Sequence, residues 1–287
     1  MSSNATPSAR QRVKQRVRRV LGTETLEQLK DLVLFDHSQS RKAEHPNPLN
    51  RAGRKCFSST DQDGITLEIL RRIGSLDDGV FGEFGVGDGT ENNTLILAAL
   101  GWKGFWVGGQ DLAVDPGDNP RFTYEKAWIT AANILALSRK CLRAIDATTV
   151  DVVSLDLDGN DIYLVETLLA GGVRPKLFVV EYNGKFPPPV RFQIAYDPQH
   201  VWQSDDYFGA SLASFAALFA TFDYRLVCCN AHSGSDAFFV DAAFAERFAD
   251  VPTDIAQLYA EPRYFLYGGF GQHPTSPRTV AKILGGR

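Results

Sequence analysis

Short runs of apolar, β-branched and aromatic residues recur through the middle of the chain, and amphipathic stretches of helical period separate them. The runs are Val80–Phe84, Gly104–Gly108, Phe122–Ile129, Val152–Leu157, Leu177–Tyr182, Tyr224–Asn230 and Asp236–Val240. The helical stretches are Ile65–Ile73, Leu95–Leu100, Thr130–Ile145, Ile162–Leu169 and Ser211–Phe222. Strands alternating with helices predict an α/β fold, with a mostly parallel sheet and helices on both faces. The last two runs are joined by the polar turn His232–Ser235, which predicts a terminal antiparallel hairpin.

The flanks read differently. Residues 1–9 lack any apolar pattern, and Ala9–Leu21 reads as a basic helix with Val13, Val17, Val20 and Leu21 on one stripe. That stripe suits packing on the body or on a second copy; a peripheral membrane contact is the other use of such a helix. A second helix is expected from Thr23 to about Leu34, and polar residues 36–55, with Pro46 and Pro48, read as a loop or linker. The expected division is an N-terminal helical extension (1–55), a central domain (56–245) with an insertion loop (184–208), and a C-terminal extension (246–287). The last carries Tyr264, Tyr267, Gly268, Gly269, Gly271, His273 and Pro274, suited to a lid or an oligomer contact.

Composition narrows the class. At 44% hydrophobic and 22% charged residues, the 287-residue chain is that of a soluble globular protein, and a net charge of −4 argues against a general nucleic-acid binder. No apolar run is long enough to span a bilayer, and the polar, basic N-terminus is no secretory signal. Cys56, Cys141, Cys228 and Cys229 form no C-x-x-C pair, so neither a disulfide framework nor a zinc site is expected and a cytoplasmic location fits.

The chemistry gathers around Glu83-Phe84-Gly85-Val86-Gly87-Asp88-Gly89, at the end of the first strand. Glycines there let the backbone bend and let a ligand approach it closely, and the first βα turn of an open sheet is where nucleotide-like cofactors bind. A dinucleotide fingerprint needs Gly or Ala where Thr90 stands, so that pattern fails. The end of the second strand, where a ribose-binding acid is usual, holds Gly108 and Gly109, with Asp111 the nearest acid.

Two further strands end in paired polar groups. The fourth finishes in Asp156 and Asp158, and the fifth in Glu181 and Asn183, each pair two residues apart and therefore on one side. Carboxylates at the end of an apolar strand are costly as mere packing. Three carboxylates and an amide at the same sheet edge would suit a hard divalent cation, or would bind cofactor and substrate directly. The insertion mixes Tyr196, Asp197, His200, Trp202, Asp205, Asp206 and Tyr207, a composition suited to a sugar or polyol, with His200 the candidate general base.

Several blocks jointly resemble one family, the FkbM-like S-adenosylmethionine-dependent methyltransferases of class I, in particular a bacterial subgroup. They are Gln62-Asp63-Gly64, Glu83–Gly89 with Glu91-Asn92-Asn93-Thr94, Gly101–Gly104, Ile129–Asn133, Asp156–Asp161, Glu181-Tyr182-Asn183, Asp206–Leu212 and Ala237–Val240. Two departures stand out. Ser59 and Gln62 replace the family's glutamine and acid in the early loop, and the second strand lacks its usual acid.

The resemblance implies a Rossmann-like, seven-stranded sheet and S-adenosyl-L-methionine as cofactor. It implies transfer of a methyl group to a hydroxyl of a sugar, glycan or natural-product acceptor. Cofactor contacts are expected at Glu83, Gly85, Gly87, Asp88, Asn93, Asp111, Thr130 and Asp156, and catalytic roles at Asp158, Asp161 and His200. Similarity to metal-dependent O-methyltransferases places Mg2+ at Asp158 (or Asp156), Glu181 and Asn183. The alternatives are a nucleotide-dependent oxidoreductase on the same scaffold and a non-catalytic interaction protein.

Overall fold

The computed structural model describes residues 23–262 and 277–285 and divides the chain into two compact units, Met1–Glu44 and His45–Arg287. In the first unit, α1 (Thr23–Glu44) runs ten residues beyond the predicted Leu34. The predicted basic helix 9–21 lies outside the described residues.

The second unit is built on a single sheet. Its strands are β1 (Val80–Phe84), β2 (Lys103–Gly108), β3 (Phe122–Lys126), β4 (Val152–Leu155), β5 (Leu177–Glu181), β6 (Tyr224–Cys229) and β7 (Asp236–Asp241). They lie in the order β3-β2-β1-β4-β5-β7-β6. β1 to β5 pair in parallel, and β7 runs antiparallel between β5 and β6. This is the Rossmann-like order with a terminal antiparallel hairpin, the class I methyltransferase architecture expected from the sequence. Phe84, at the end of β1, is level with Val107 on β2 and Leu155 on β4. The turns that follow these strands therefore open at one edge, where such sheets bind ligands.

The helices are α2 (Gln62–Ile73), α3 (Leu95–Ala99), α4 (Ile134–Ala144), α5 (Asp161–Ala170), α6 (Leu212–Ala220), α7 (Ile255–Leu258) and α8 (Pro277–Gly285). The central strands are apolar on both faces, as sheets covered by helices require, and β4 is buried throughout. Gly82 and Gly104 lie in strand interiors because rings occupy their Cβ positions: Phe105 would be 2.4 Å from a Cβ on Gly82, and Phe81 2.2 Å from one on Gly104. Among the described residues no helix is long and apolar enough to cross a membrane.

Several expected boundaries move. Of the expected loop or linker 36–55, residues 36–44 belong to α1 and 45–55 form an ordered loop. A 3-10 turn (Pro48–Ala52) is seated by Asn47 Nδ2 donating to the Val227 carbonyl at 2.7 Å and by Asn50 Oδ1 accepting from Ala231 N at 2.8 Å. Polar residues in that stretch therefore serve buried hydrogen bonds rather than solvent. β3 stops at Lys126, three residues before the predicted Ile129, and β4 at Leu155, two before Leu157, because the chain turns into the ligand edge there. Asp63 Oδ2 accepts from the backbone N–H groups of Cys56, Phe57 and Ser58 and from the Ser58 hydroxyl, folding the loop before α2 around one carboxylate.

Candidate active site

The turn after β1 has the conformation its glycines permit. Gly85, Gly87 and Gly89 have φ of +92°, +54° and +83°. At Gly85 the constraint is also steric, since a Cβ there would lie 1.6 Å from the Asp156 carbonyl oxygen. Beneath the turn Glu83 is buried, and its carboxylate accepts from Asn93 N at 2.9 Å, Thr94 N at 3.0 Å and the Thr94 hydroxyl at 2.5 Å. It thus ties β1 to the start of α3, whose cap Thr94 makes no side-chain capping bond of its own. Burial raises the Glu83 pKa, while these hydrogen bonds and one from Asn92 pull it down.

Two cavities meet at this edge. One, of about 450 Å³, is lined by Gly85, Gly87, Gly109, Gln110, Trp128 and His200 among others. The other, of about 620 Å³, is walled by Ser59, Gln62, Asn93, Glu181, Phe208 and Asp236 among others. Gly85, Asp156, Asp158 and Trp202 line both and so mark the junction. A larger cavity of about 800 Å³ lies elsewhere, among α5, α6, the insertion and α8, and includes none of the strand-end carboxylates.

At the junction, Asp156, Asp158 and Glu181 each offer an oxygen, all within 4.8 Å of one another. Asp158 is held at φ +53° by the turn that follows β4. Burial, then the charges of Asp158, Asp236 and Asp161, raises Asp156 well above the usual carboxylate range. Glu181 is raised well above it by burial and then by Asp156, Asp158, Asp161 and Asp236, and Asp158 is raised by burial. Asp156 and Asp158 also face cavity solvent, which moderates the burial effect; at Asp156 the neighbouring carboxylates still push upward, whereas at Asp158 burial acts against the pull of His200. An all-oxygen, all-carboxylate set of this spacing fits a hard divalent cation, which would relieve that crowding.

The other expected residues are distributed unevenly around this centre. Asn93 lines the second cavity and donates to Ser154 Oγ at 3.1 Å. His200 lines the first; its Nε2 is buried with no hydrogen-bond partner. Burial and the charge of Arg278 lower its pKa, so the imidazole is neutral near pH 7. Asp161 turns away from the cavities. Its carboxylate accepts from Leu157 N at 2.8 Å and Gly159 N at 2.9 Å, shaping the β4–α5 turn, and burial raises its pKa to about 6 against the pull of those bonds.

Asn183 sits just past β5 but not among the carboxylates. Its Nδ2 donates to the carbonyls of Asp206 and Phe208, both at 3.0 Å, and its Oδ1 accepts from Lys185 N. The structure thus brings Asp156 to Asp158 and Glu181 where the sequence placed Asn183, because the chain leaves β5 into the insertion and uses the amide to anchor it.

Three expected cofactor residues line neither cavity. Asp88 holds its own turn by accepting from Thr90 N and Oγ1 at 3.0 and 2.6 Å, and Asp111 is paired with Lys126 at 2.7 Å with its side chain 88% exposed. The backbone N–H of Thr130 donates to Asn133 Oδ1 at 2.8 Å. At the end of β2 the cavity wall is instead Gly109 and Gln110, so an amide stands where an acid was sought.

Sequence reasoning missed three contributors. Trp128 follows β3 and its indole donates to the Pro198 carbonyl at 2.7 Å; the sequence hid it inside the apolar run read as strand to Ile129. Trp202 was noted merely as one aromatic of the insertion. Gln62 was read as a departure from a family pattern, yet its Nε2 donates to Asp236 Oδ2 at 2.7 Å, crossing from α2 to the start of β7 in the cavity wall. The pairing of distant segments carries that contact, and no local pattern announces it.

No family model matches the chain, and no curated protein matches it. Solved structures do. An O-methyltransferase family 2 protein from Planctomyces limnophilus DSM 3776, in complex with apigenin, is 13% identical over 57% of this chain and 50% of that one, with a TM-score of 0.34. CalO1, a methyltransferase in calicheamicin biosynthesis in its SAH-bound form, is 15% identical over 72% of this chain and 55% of that one, with a TM-score of 0.33. The chain spans about half the length of these two proteins.

Proposed function

We propose that the protein transfers the methyl group of S-adenosyl-L-methionine to a hydroxyl of a sugar, glycan or natural-product acceptor. The observation that carries this reading is the junction. A turn with three glycines at positive φ opens at the ligand edge of a β3-β2-β1-β4-β5-β7-β6 sheet, onto two cavities that share Asp156 and Asp158. The first cavity suits the cofactor. Gly85 and Gly87 present bare backbone, Gly109 and Gln110 present polar groups for a ribose, and Trp128 and Ile129 offer an apolar wall for a purine. The second cavity, rich in hydroxyls and carboxylates, suits a polyhydroxylated acceptor.

The reaction is an in-line displacement. The acceptor oxygen forms a bond to the methyl carbon as the carbon–sulfur bond breaks, and the sulfur keeps that electron pair. The protein orients the two reactants and takes the hydroxyl proton. His200, neutral and lining the first cavity close to the junction, is the base this reading assigns, and Asp158, which lines both cavities, is the carboxylate nearest that role. Asp156, Asp158 and Glu181 would hold a magnesium ion, and such an ion supplies a lowered pKa at a bound hydroxyl.

The test is calorimetric titration of chelator-treated protein with S-adenosylhomocysteine, with and without magnesium. Binding is expected in both conditions, together with a separate magnesium signal that Glu181→Ala removes. Absence of S-adenosylhomocysteine binding in both would overturn the methyltransferase reading. Absence of the magnesium signal alone would leave base catalysis by His200.

A further inference from the structure

The last described helix, α8, follows a tail that the reaction above does not use, yet its first turn is fixed to the insertion over the cavities. Thr279, 1% exposed, donates to Asp206 Oδ1 at 2.6 Å. Arg278 donates to Asp205 Oδ2 at 3.3 Å, and its guanidinium stands 4.6 Å above the Tyr207 ring. Both acids are tied onward. Asp206 is fully buried, takes Lys185 Nζ at 2.7 Å on its other oxygen, and gives its carbonyl to Asn183. The Asp205 carbonyl accepts from the Trp202 indole at 2.7 Å, and Trp202 lines both cavities, edge-on to Phe208 at 5.9 Å.

Residues 197–208 form no helix or strand, so their path is set by side chains that satisfy and clamp the backbone. A buried carboxylate with a cation on one oxygen and a hydroxyl on the other is a directional clamp, because losing the cation weakens the compensation of its charge and losing the hydroxyl removes a hydrogen bond from a buried oxygen. We propose that Arg278 and Thr279 are positioning residues that hold Trp202 as a wall over the junction, which makes the C-terminal helix part of the acceptor site. The proposal rests on the methyl-transfer reading for what fills the cavities, and on the contacts above for the clamp itself.

The indole N–H of Trp202 reports on the clamp. Its resonance, assigned with Trp202→Phe, is followed by hydrogen exchange in the full-length protein and in Arg278→Gln, Thr279→Val and Arg278→Lys. Loss of one clamp contact is expected to speed exchange of that proton about tenfold in the Gln and Val variants, with Lys restoring most of the protection. The indoles of Trp102 and Trp106, bonded to the Leu76 carbonyl and Thr94 Oγ1, are internal controls and should not change. The isosteric Thr279→Val keeps the test valid if Arg278→Gln loosens the whole fold. Unchanged Trp202 exchange in both variants would overturn the proposal. Faster Trp202 exchange in a protein that never binds S-adenosylhomocysteine would keep the clamp and remove the methyltransferase reading.

Discussion

Single residues in this protein separate structural from chemical roles, and the glycine turn shows how. Gly85 and Gly87 both take positive φ, but a Cβ on Gly85 would collide with the Asp156 carbonyl, whereas one on Gly87 meets nothing within 4 Å. Gly85→Ala therefore forces the β1 and β4 turns apart and is expected to lower stability by several kcal/mol, about 1–3 from overpacking and more from the left-handed backbone. Gly87→Ala carries only the backbone cost, about 1–2 kcal/mol, and leaves the fold intact. Its methyl group points into open space beside the cofactor cavity, so S-adenosylhomocysteine affinity should fall while thermal unfolding shifts only a few degrees. Unchanged affinity in folded Gly87→Ala would mean that this turn does not touch the cofactor.

At the scale of elements, what the sequence disclosed depended on whether a signal was local. Strand and helix periodicity gave the alternation and the terminal hairpin, because burial on both faces of a sheet leaves an uninterrupted apolar run. Strand ends were less legible: Ala127–Ile129 and Asp156–Leu157 are apolar or acidic because they line a cavity, and they read as strand for that reason. Asn183 shows the same limit for the site. Spacing placed it beside Glu181, but its direction is set by the insertion that it pins. Asn183→Ala is therefore expected to cost about 1–3 kcal/mol, from the buried carbonyls of Asp206 and Phe208 left unpaired, while magnesium affinity stays as in the parent protein. Denaturant unfolding and metal titration of the same sample decide the matter; intact stability with lost magnesium binding would restore Asn183 as a ligand.

For the whole molecule, every residue of the candidate site lies in the unit His45–Arg287. The net charge of −4 understates the local field in that unit, because Asp156, Asp158 and Glu181 crowd one point of the sheet edge. Their folded-state pKa values are raised above the unfolded carboxylate values of about 4. The folded protein then holds more protons than the unfolded chain in that window. The stability these groups contribute is full below about pH 4 and is lost as pH rises through their raised values. Asp161, at about 6, adds a loss of the same sign between those two pH values. The thermal stability of the metal-free protein should therefore fall as the pH is raised through this range. Glu181→Gln, which removes one of three crowded charges, should flatten the profile and melt higher than the parent at pH 8. Added magnesium should stabilise the parent at pH 8 but not at pH 4, where protons already occupy the carboxylates. Parallel profiles for the two proteins would show that cavity water screens these charges, and the case for a cation at the junction would lose its electrostatic basis.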